Sequence, residues 1–397
     1  MNDPLDIFAK TARRLADHPA IIAGGVTLNY TWLHDRAASY AALVARHKSP
    51  RVLIYMPKCA DAYAAVLGTG FGGGVYSLIH VNMPIGKLQP AVEMLSPDII
   101  LTDATHARAI RALAPGAALY TPAALPAKML ESTKRIARHQ SAYILFTCDP
   151  SGKMRGIDVS RQALSNYIGW IQGTFKLTKN DRVAQFVDLS IDISVTDLYG
   201  AICAGATLVV PDGEIDLRNP AAFIERHDIT VLNTFPSQIE LMAESGLLTT
   251  YWLGSLKLVN LCRHVARKTH VDMLFAEMPE LQILITYGPP EATVATTYQR
   301  LTAETCLEAY DDIIPLGKPL PLMTVALSCQ PGQELGELII SGPQLASAYE
   351  SEDIDTARMF RRNEDGNRIL RTRDIFRRDG LGFHFCFKAA RESVLVG

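Results

Sequence analysis

The chain has 397 residues, 48% hydrophobic and 20% charged, enough to bury large cores in more than one domain. A net charge of −2 gives no global electrostatic basis for binding nucleic acid or an anionic membrane. The seven cysteines (59, 148, 203, 262, 306, 329 and 386) are odd in number and never spaced Cys-x-x-Cys, which speaks against a disulfide framework or a zinc site and for reduced cytoplasmic thiols.

The first twenty residues, MNDPLDIFAKTARRLADHPA, are amphipathic and charged and lack the apolar centre of a signal peptide. No apolar run reaches the roughly 18 residues of a membrane span. Short apolar runs then alternate with helical stretches. RVLIYM (51–56) precedes ADAYAAVLGTGFGGG, whose small residues suit close helix packing, and PDIILTD (97–103) precedes ATHARAIRALA. ATLVVPD (206–212) leads to NPAAFIERHD, and ITVLNTFPS (229–237) to QIELMAESGLL. Apolar strands alternating with helices predict parallel sheets covered on both faces, in two modules of about 45–200 and 200–300. After about 310 the texture turns β-rich (DDIIPLGKPLPLMTVALS, GELIISG, LGFHFCF), which predicts a smaller β subdomain. The expected division is 1–310 for the two αβ subdomains and 311–397 for the β-rich one.

Four stretches offer chemistry. In FTCDPSGKMRG (146–156), Gly152 and Lys153 sit where a loop could cradle phosphate through backbone N–H groups; a plain strand–turn–helix connection is the alternative. In ITYGPPEATVATT (285–297), Tyr287 at a strand end could stack on a flat base and Glu291 could bind a divalent cation, or Glu291 merely caps a helix. In DLSIDISVTDLYGAICAGATL (188–208), Asp192 has apolar surroundings and either pairs with a cationic ligand group or caps the helix. Asp197 is expected to be a solvated helix residue. In LRTRDIFRRDGLGF (370–383), Asp374 closes a strand, where it could accept hydrogen bonds from ribose hydroxyls or pair with Arg371 or Arg373. The cluster Arg371, Arg373, Arg377 and Arg378 is expected to be a solvated face. The histidines show no metal-ligand spacing, and no Gly-x-Ser-x-Gly elbow is present.

The order and spacing of these stretches, together with LNYTWLHDRAASYAALV, ITVLNTFPSQIELM, PLGKPLP, GELIISGPQLASAYE and LRTRD, resemble the N-terminal core of the adenylate-forming superfamily, nearest to amino-acid adenylation domains and D-alanine–carrier protein ligases. The resemblance implies an α/β fold of two parallel-sheet αβ subdomains plus a distorted β-barrel. It also implies a reaction in which a carboxylate attacks the α-phosphate of MgATP and the acyl group passes to a carrier thiol. By matched position, Tyr287 would stack on adenine, Glu291 would be the catalytic magnesium ligand and Asp374 would hold the ribose. Thr147, Ser151, Gly152 and Lys153 would lie in the phosphate loop. Asp192 would pair with a substrate ammonium, favouring an amino acid over a fatty acid. ATP and Mg²⁺ are the implied cofactors, or none if the loop has lost its grip. The implied partners are an amino acid or small carboxylate, and a carrier protein or a separate protein supplying the lid, with neither nucleic acid nor membrane.

The departures cluster at the same site. The loop reads Thr147-Cys-Asp-Pro-Ser-Gly-Lys153 where the family has Thr-Ser-Gly-Ser-Thr-Gly-Lys. A carboxylate about 4 Å from a phosphate charge costs about 4 kcal/mol at an effective dielectric near 20, and Pro150 removes a backbone donor. Pro290 replaces a threonine, Cys262-Arg263 stand roughly at a Gly-Glu pair, and Arg373 replaces a glycine. Phe387-Lys388-Ala389-Ala390 stands for the Gly-Arg-x-Asp hinge, and the C-terminal lid subdomain that follows it in the family is absent from the sequence. The expectation is a truncated, partly degenerate core, weakly active or, alternatively, a catalytically inactive binding or scaffolding protein.

Overall fold

The apolar runs form parallel strands in a computed structural model that describes residues 3–126, 137–148, 153–305, 311–330, 332–350, 359–379 and 382–388. A seven-stranded sheet runs from edge to edge as Ala348–Tyr349, Met154–Ser160, Ser141–Cys148, Val75–Leu78, Arg51–Tyr55, Ile99–Thr102 and Ala118–Tyr120. From Ser141–Cys148 onward these strands are mutually parallel. A nine-stranded sheet runs Val26–Asn29, Pro19–Ala23, Thr207–Val209, Arg182–Ala184, Val231–Thr234, Leu258–Leu261, Gln282–Tyr287, Thr297–Leu301 and Lys318–Pro319, parallel through its middle and antiparallel at both edges. Central strands such as Val231–Thr234 and Leu258–Leu261 are buried at every position, which is why they read as unbroken apolar runs.

The sheets interleave in sequence, contrary to the expectation of consecutive modules. Pro19–Asn29 and Arg182–Ala184 both join the nine-stranded sheet. Helix Ala60–Phe71 packs on strands of the seven-stranded sheet and also touches Pro19–Ala23 of the other. Its small residues are required by its neighbour: a Cβ on Gly68 would lie 2.5 Å from the Ala37 carbonyl oxygen and from Tyr40 Cβ of helix Tyr30–Val44. One apolar cluster therefore runs between the sheets, with Val52 and Ile54 on one side and Ala20, Leu208 and Leu284 on the other.

The β-rich part is antiparallel: Thr324–Ser328, Leu335–Ser341, Arg368–Asp379 and Phe360–Arg362 lie side by side, and Gly382–Lys388 pairs with the long strand. Leu335–Ser341 alternates between buried and less buried positions, as a strand with one covered face should. Among the described residues the edge strands are not paired into a closed barrel. Of the four arginines expected to form a solvated face, Arg378 is exposed, whereas Arg371, Arg373 and Arg377 are partly buried. Arg371 pairs with Glu337 on the adjacent strand, and Arg377 pairs with Glu334 at 2.8 Å. No helix among the described residues is long and apolar enough to cross a membrane.

Candidate active site

Strand Gln282–Tyr287 ends in the Tyr-Gly-Pro turn, followed by a single 3₁₀ turn over Pro290–Ala292. Gly288 is dictated by close approach: a Cβ there would lie 2.6 Å from Ala295 Cα, 2.7 Å from the Val294 carbonyl oxygen and 2.8 Å from Thr296 N. Thr293 and Val294 both take left-handed conformations, at φ +56° and +68°. Such backbone persists only where the surroundings over-determine it, and buried Gln344 does so. Its Nε2 donates to the Ala295 carbonyl at 2.7 Å and to the Ala292 carbonyl at 3.3 Å, while Thr293 Oγ1 donates to the Gln344 carbonyl at 2.7 Å.

This clamped loop buries Glu291, which is 1% exposed. Its Oε1 accepts a hydrogen bond from the Tyr349 hydroxyl, so the helix-capping alternative fails. Arg155 stacks on the Tyr349 ring at 5.5 Å, and the Tyr349 hydroxyl also contacts Met359 Sδ at 3.2 Å. Among the described residues no group of three or more His, Cys, Asp or Glu could hold a metal ion. Glu291 therefore fits magnesium only together with phosphate oxygens and water, the manner in which that ion commonly binds through one or two carboxylates.

Asp374 lies inside strand Arg368–Asp379 rather than at its end, and it is 5% exposed. The pairing with Leu335–Ser341 shifts between Glu337 and Ile339, and Arg373 in the resulting bulge sits at φ +61°. The bulge re-aims the strand, and Asp374 Oδ2 accepts a hydrogen bond from the Tyr287 hydroxyl at 2.6 Å. Two residues 87 apart in sequence, one from each of two sheets, thus meet directly. Phe376 packs edge-on against the Tyr287 ring at 5.2 Å.

Asp192 is 4% exposed and precedes helix Ser194–Ala204 without capping it through its side chain. A cation of the chain itself is its partner: Arg263 Nη1 donates to Asp192 Oδ1 at 3.3 Å. Burial pushes the Asp192 carboxyl above the usual carboxylate range. The Arg263 charge and the Ile193 N–H oppose that rise, and nearby Glu291 adds to it. Arg263 holds φ +66°, so two arginines, at 263 and 373, occupy left-handed positions that favour glycine.

Asp197 is not a solvated helix residue. It is fully buried, and Asn233 Nδ2 donates to its Oδ1 at 2.6 Å. Asn260 donates to Asn233 at 2.9 Å and Thr286 to Asn260 at 3.0 Å, a polar chain across three parallel strands. Burial holds the Asp197 carboxyl well above its ordinary range, against the Asn233 bond and the Lys58 charge.

The segment after strand Ser141–Cys148 joins an antiparallel neighbour, Met154–Ser160, and not a helix. The next helix begins only at Arg161, capped by Ser160 Oγ accepting from Ala163 N at 3.2 Å. The strand that follows the loop thus supplies no helix N-terminus of the kind that commonly binds phosphate. Thr147, facing Arg155, and exposed Lys153 flank the loop. Asp149, Pro150, Ser151 and Gly152 lie outside the described residues, as do Ala389 and Ala390. A separate cavity of about 240 Å³ is lined by Lys58, His80, Asp188 and Glu214, none of them among the residues picked out by sequence.

The structure thus joins Tyr287 to Asp374 and brings Asp192 and Glu291 within electrostatic reach. Sequence reasoning assigned no role to Arg155, Gln344 or Tyr349, although the quoted stretches contain them, because their partners are distant in the chain. Arg263 was visible only as a departure from an expected motif.

The AMP-binding enzyme family model matches residues 8–350. Phenyloxazoline synthase MbtB of Mycolicibacterium paratuberculosis is 29% identical over 384 residues, covering 94% of this chain and 32% of that protein. Pyochelin synthetase PchF of Pseudomonas aeruginosa is 28% identical, covering 89% and 20%. The chain spans about a third or less of the length of these relatives. Among solved structures, the Vibrio cholerae adenylation domain AlmE in complex with glycyl-adenosine-5'-phosphate superposes with TM-score 0.84 at 24% identity, covering 98% of this chain and 80% of that one. The N-terminal subdomain of Klebsiella oxytoca NpsA in complex with 3-hydroxybenzoyl-AMSN gives TM-score 0.82 at 19% identity, covering 98% and 100%.

Proposed function

Because the chain belongs to the AMP-binding enzyme family, we propose that it binds ATP with a carboxylic acid and supports formation of an acyl-adenylate. In this reading the Tyr287 ring stacks on adenine, Asp374 holds the ribose, Glu291 shares a magnesium ion with the phosphates and Asp192 faces the acid. Thr147, Ser151, Gly152 and Lys153 border the phosphates. The observation that carries the reading is the 2.6 Å bond between Tyr287 and Asp374, which sets an aromatic face and a buried carboxylate side by side. A carrier thiol is the acceptor this reading implies.

A second reading is favoured by the charges at the site. Asp149 in the phosphate loop opposes phosphate, and Asp192 is already neutralised by Arg263. In that reading the chain binds but does not turn over, serving as a scaffold in a biosynthetic pathway. Titration calorimetry with MgATP and AMP on the full chain, paired with pyrophosphate exchange across a panel of acids, separates the two. Nucleotide binding with exchange supports adenylation; absence of nucleotide binding in a folded chain supports the scaffold. A folded protein that binds no nucleotide defeats the adenylation reading.

A further inference from the structure

The partner of Asp192 decides which acids the site accepts. Asp192 and Arg263 are both largely shielded from water, with side-chain exposures of 5% and 20%. Their 3.3 Å contact is the only hydrogen bond of the Arg263 side chain among the described residues, leaving most of its guanidinium donors open. The pair arises from the backbone, since φ +66° at Arg263 turns the chain as glycine would while adding a side chain long enough to reach Asp192. Among the described residues the buried hydroxyl of Tyr143, 2% exposed, has no hydrogen-bond partner; burial disfavours its ionisation, and the charges of Tyr76 and Asp192 add to that.

An α-ammonium entering here would meet a carboxylate already neutralised and a guanidinium of its own sign. Displacing Arg263 would leave that cation in a poorly hydrated site without its counter-ion. A hydroxyl or a second carboxylate on the ligand meets the opposite situation, because it accepts from the open guanidinium donors and leaves the pair intact.

We propose that this site selects organic acids lacking an α-ammonium group, hydroxy acids or dicarboxylic acids, with Arg263 as the residue that excludes amino acids. This rests on the adenylation reading for the identity of the site and reverses the amino-acid preference that Asp192 alone implies.

The test uses isosteric pairs differing only in hydroxyl against ammonium: lactic acid and alanine, phenyllactic acid and phenylalanine. Each is presented to the full chain as the free acid and as its acyl-sulfamoyl adenosine, with affinities read by titration calorimetry. The hydroxy member is expected to bind at least about tenfold more tightly, a difference of about 1.4 kcal/mol. Arg263→Gly should reverse the order by freeing Asp192. Arg263→Gln, which keeps the bulk, should erase most of the preference, and thermal melts verify folding of both. Tighter binding of the amino members to the unaltered chain overturns the inference and leaves adenylation standing. So does binding of MgATP with no acid or conjugate bound. Free hydroxy acids that bind preferentially while neither nucleotide nor conjugate does would uphold the inference and defeat adenylation. A folded chain that binds none of them defeats both.

Discussion

Arg263 and Arg373 hold left-handed backbone without being glycine. Such a conformation costs on the order of 1 kcal/mol, part of which glycine would return as freedom in the unfolded chain. Arg263→Gly also leaves Asp192 buried without its cation, so a net loss of about 2–4 kcal/mol is expected. That loss should shrink in acid, where a protonated Asp192 needs no counter-ion. A loss of the same size in acid would show that the ion pair contributes nothing. Asp197 gives a different pH signature. Its folded pKa is raised by burial, so the native state holds a proton that the unfolded chain releases above about pH 3.9. Its contribution is fully present below that pH and is lost as pH rises towards the folded value. Asp197→Asn mimics the protonated form, and thermal melts from pH 4 to 8 should show a flatter decline than the parent. An unchanged slope would mean that Asp197 ionises freely.

At the scale of elements, the strands and helices were legible because burial on both faces writes itself as continuous apolar runs. Arg51–Tyr55, Ile99–Thr102, Thr207–Val209 and Val231–Thr234 all fall within segments whose pattern predicts a strand. The pairing of Ser141–Cys148 with Met154–Ser160 was less legible, since eleven residues do not reveal whether a strand or a helix comes next. The loop carrying Glu291 was readable as a turn from Tyr287-Gly-Pro, but not as a loop clamped from outside, because Gln344 lies 52 residues beyond Ala292 in the chain. Its weak point is Gly288. A methyl group there has only backbone atoms to displace, so Gly288→Ala should cost about 1–3 kcal/mol, as overpacking does. It should also disturb Glu291 and Tyr287 together. Denaturation curves alongside nucleotide titration check this, and a variant with parental stability and affinity would show that the loop yields easily.

For the whole molecule, the sequence conveyed strand–helix alternation but not which sheet each strand joins, because that depends on long-range pairing. Pro19–Asn29 crosses to the nine-stranded sheet, and the first helix follows it. Helix Pro4–Arg14 contacts helices Tyr30–Val44 and Ala60–Phe71 and also Ser194–Ala204, which lies on strands of the nine-stranded sheet. Thr11 Oγ1 donates to the Cys203 carbonyl at 3.2 Å, and fully buried Phe8 stacks on Phe71 at 5.9 Å. This helix therefore links the layers over both sheets. Removing the Phe8 ring leaves a cavity at the shared layer, and Phe8→Ala is expected to cost about 3–5 kcal/mol. Since one apolar cluster spans the sheets, the loss should move a single calorimetric transition as a unit, with the ratio of van't Hoff to calorimetric enthalpy near one. Two separated transitions, only one of them lowered, would mean that the sheets unfold independently and that the helix serves just one of them.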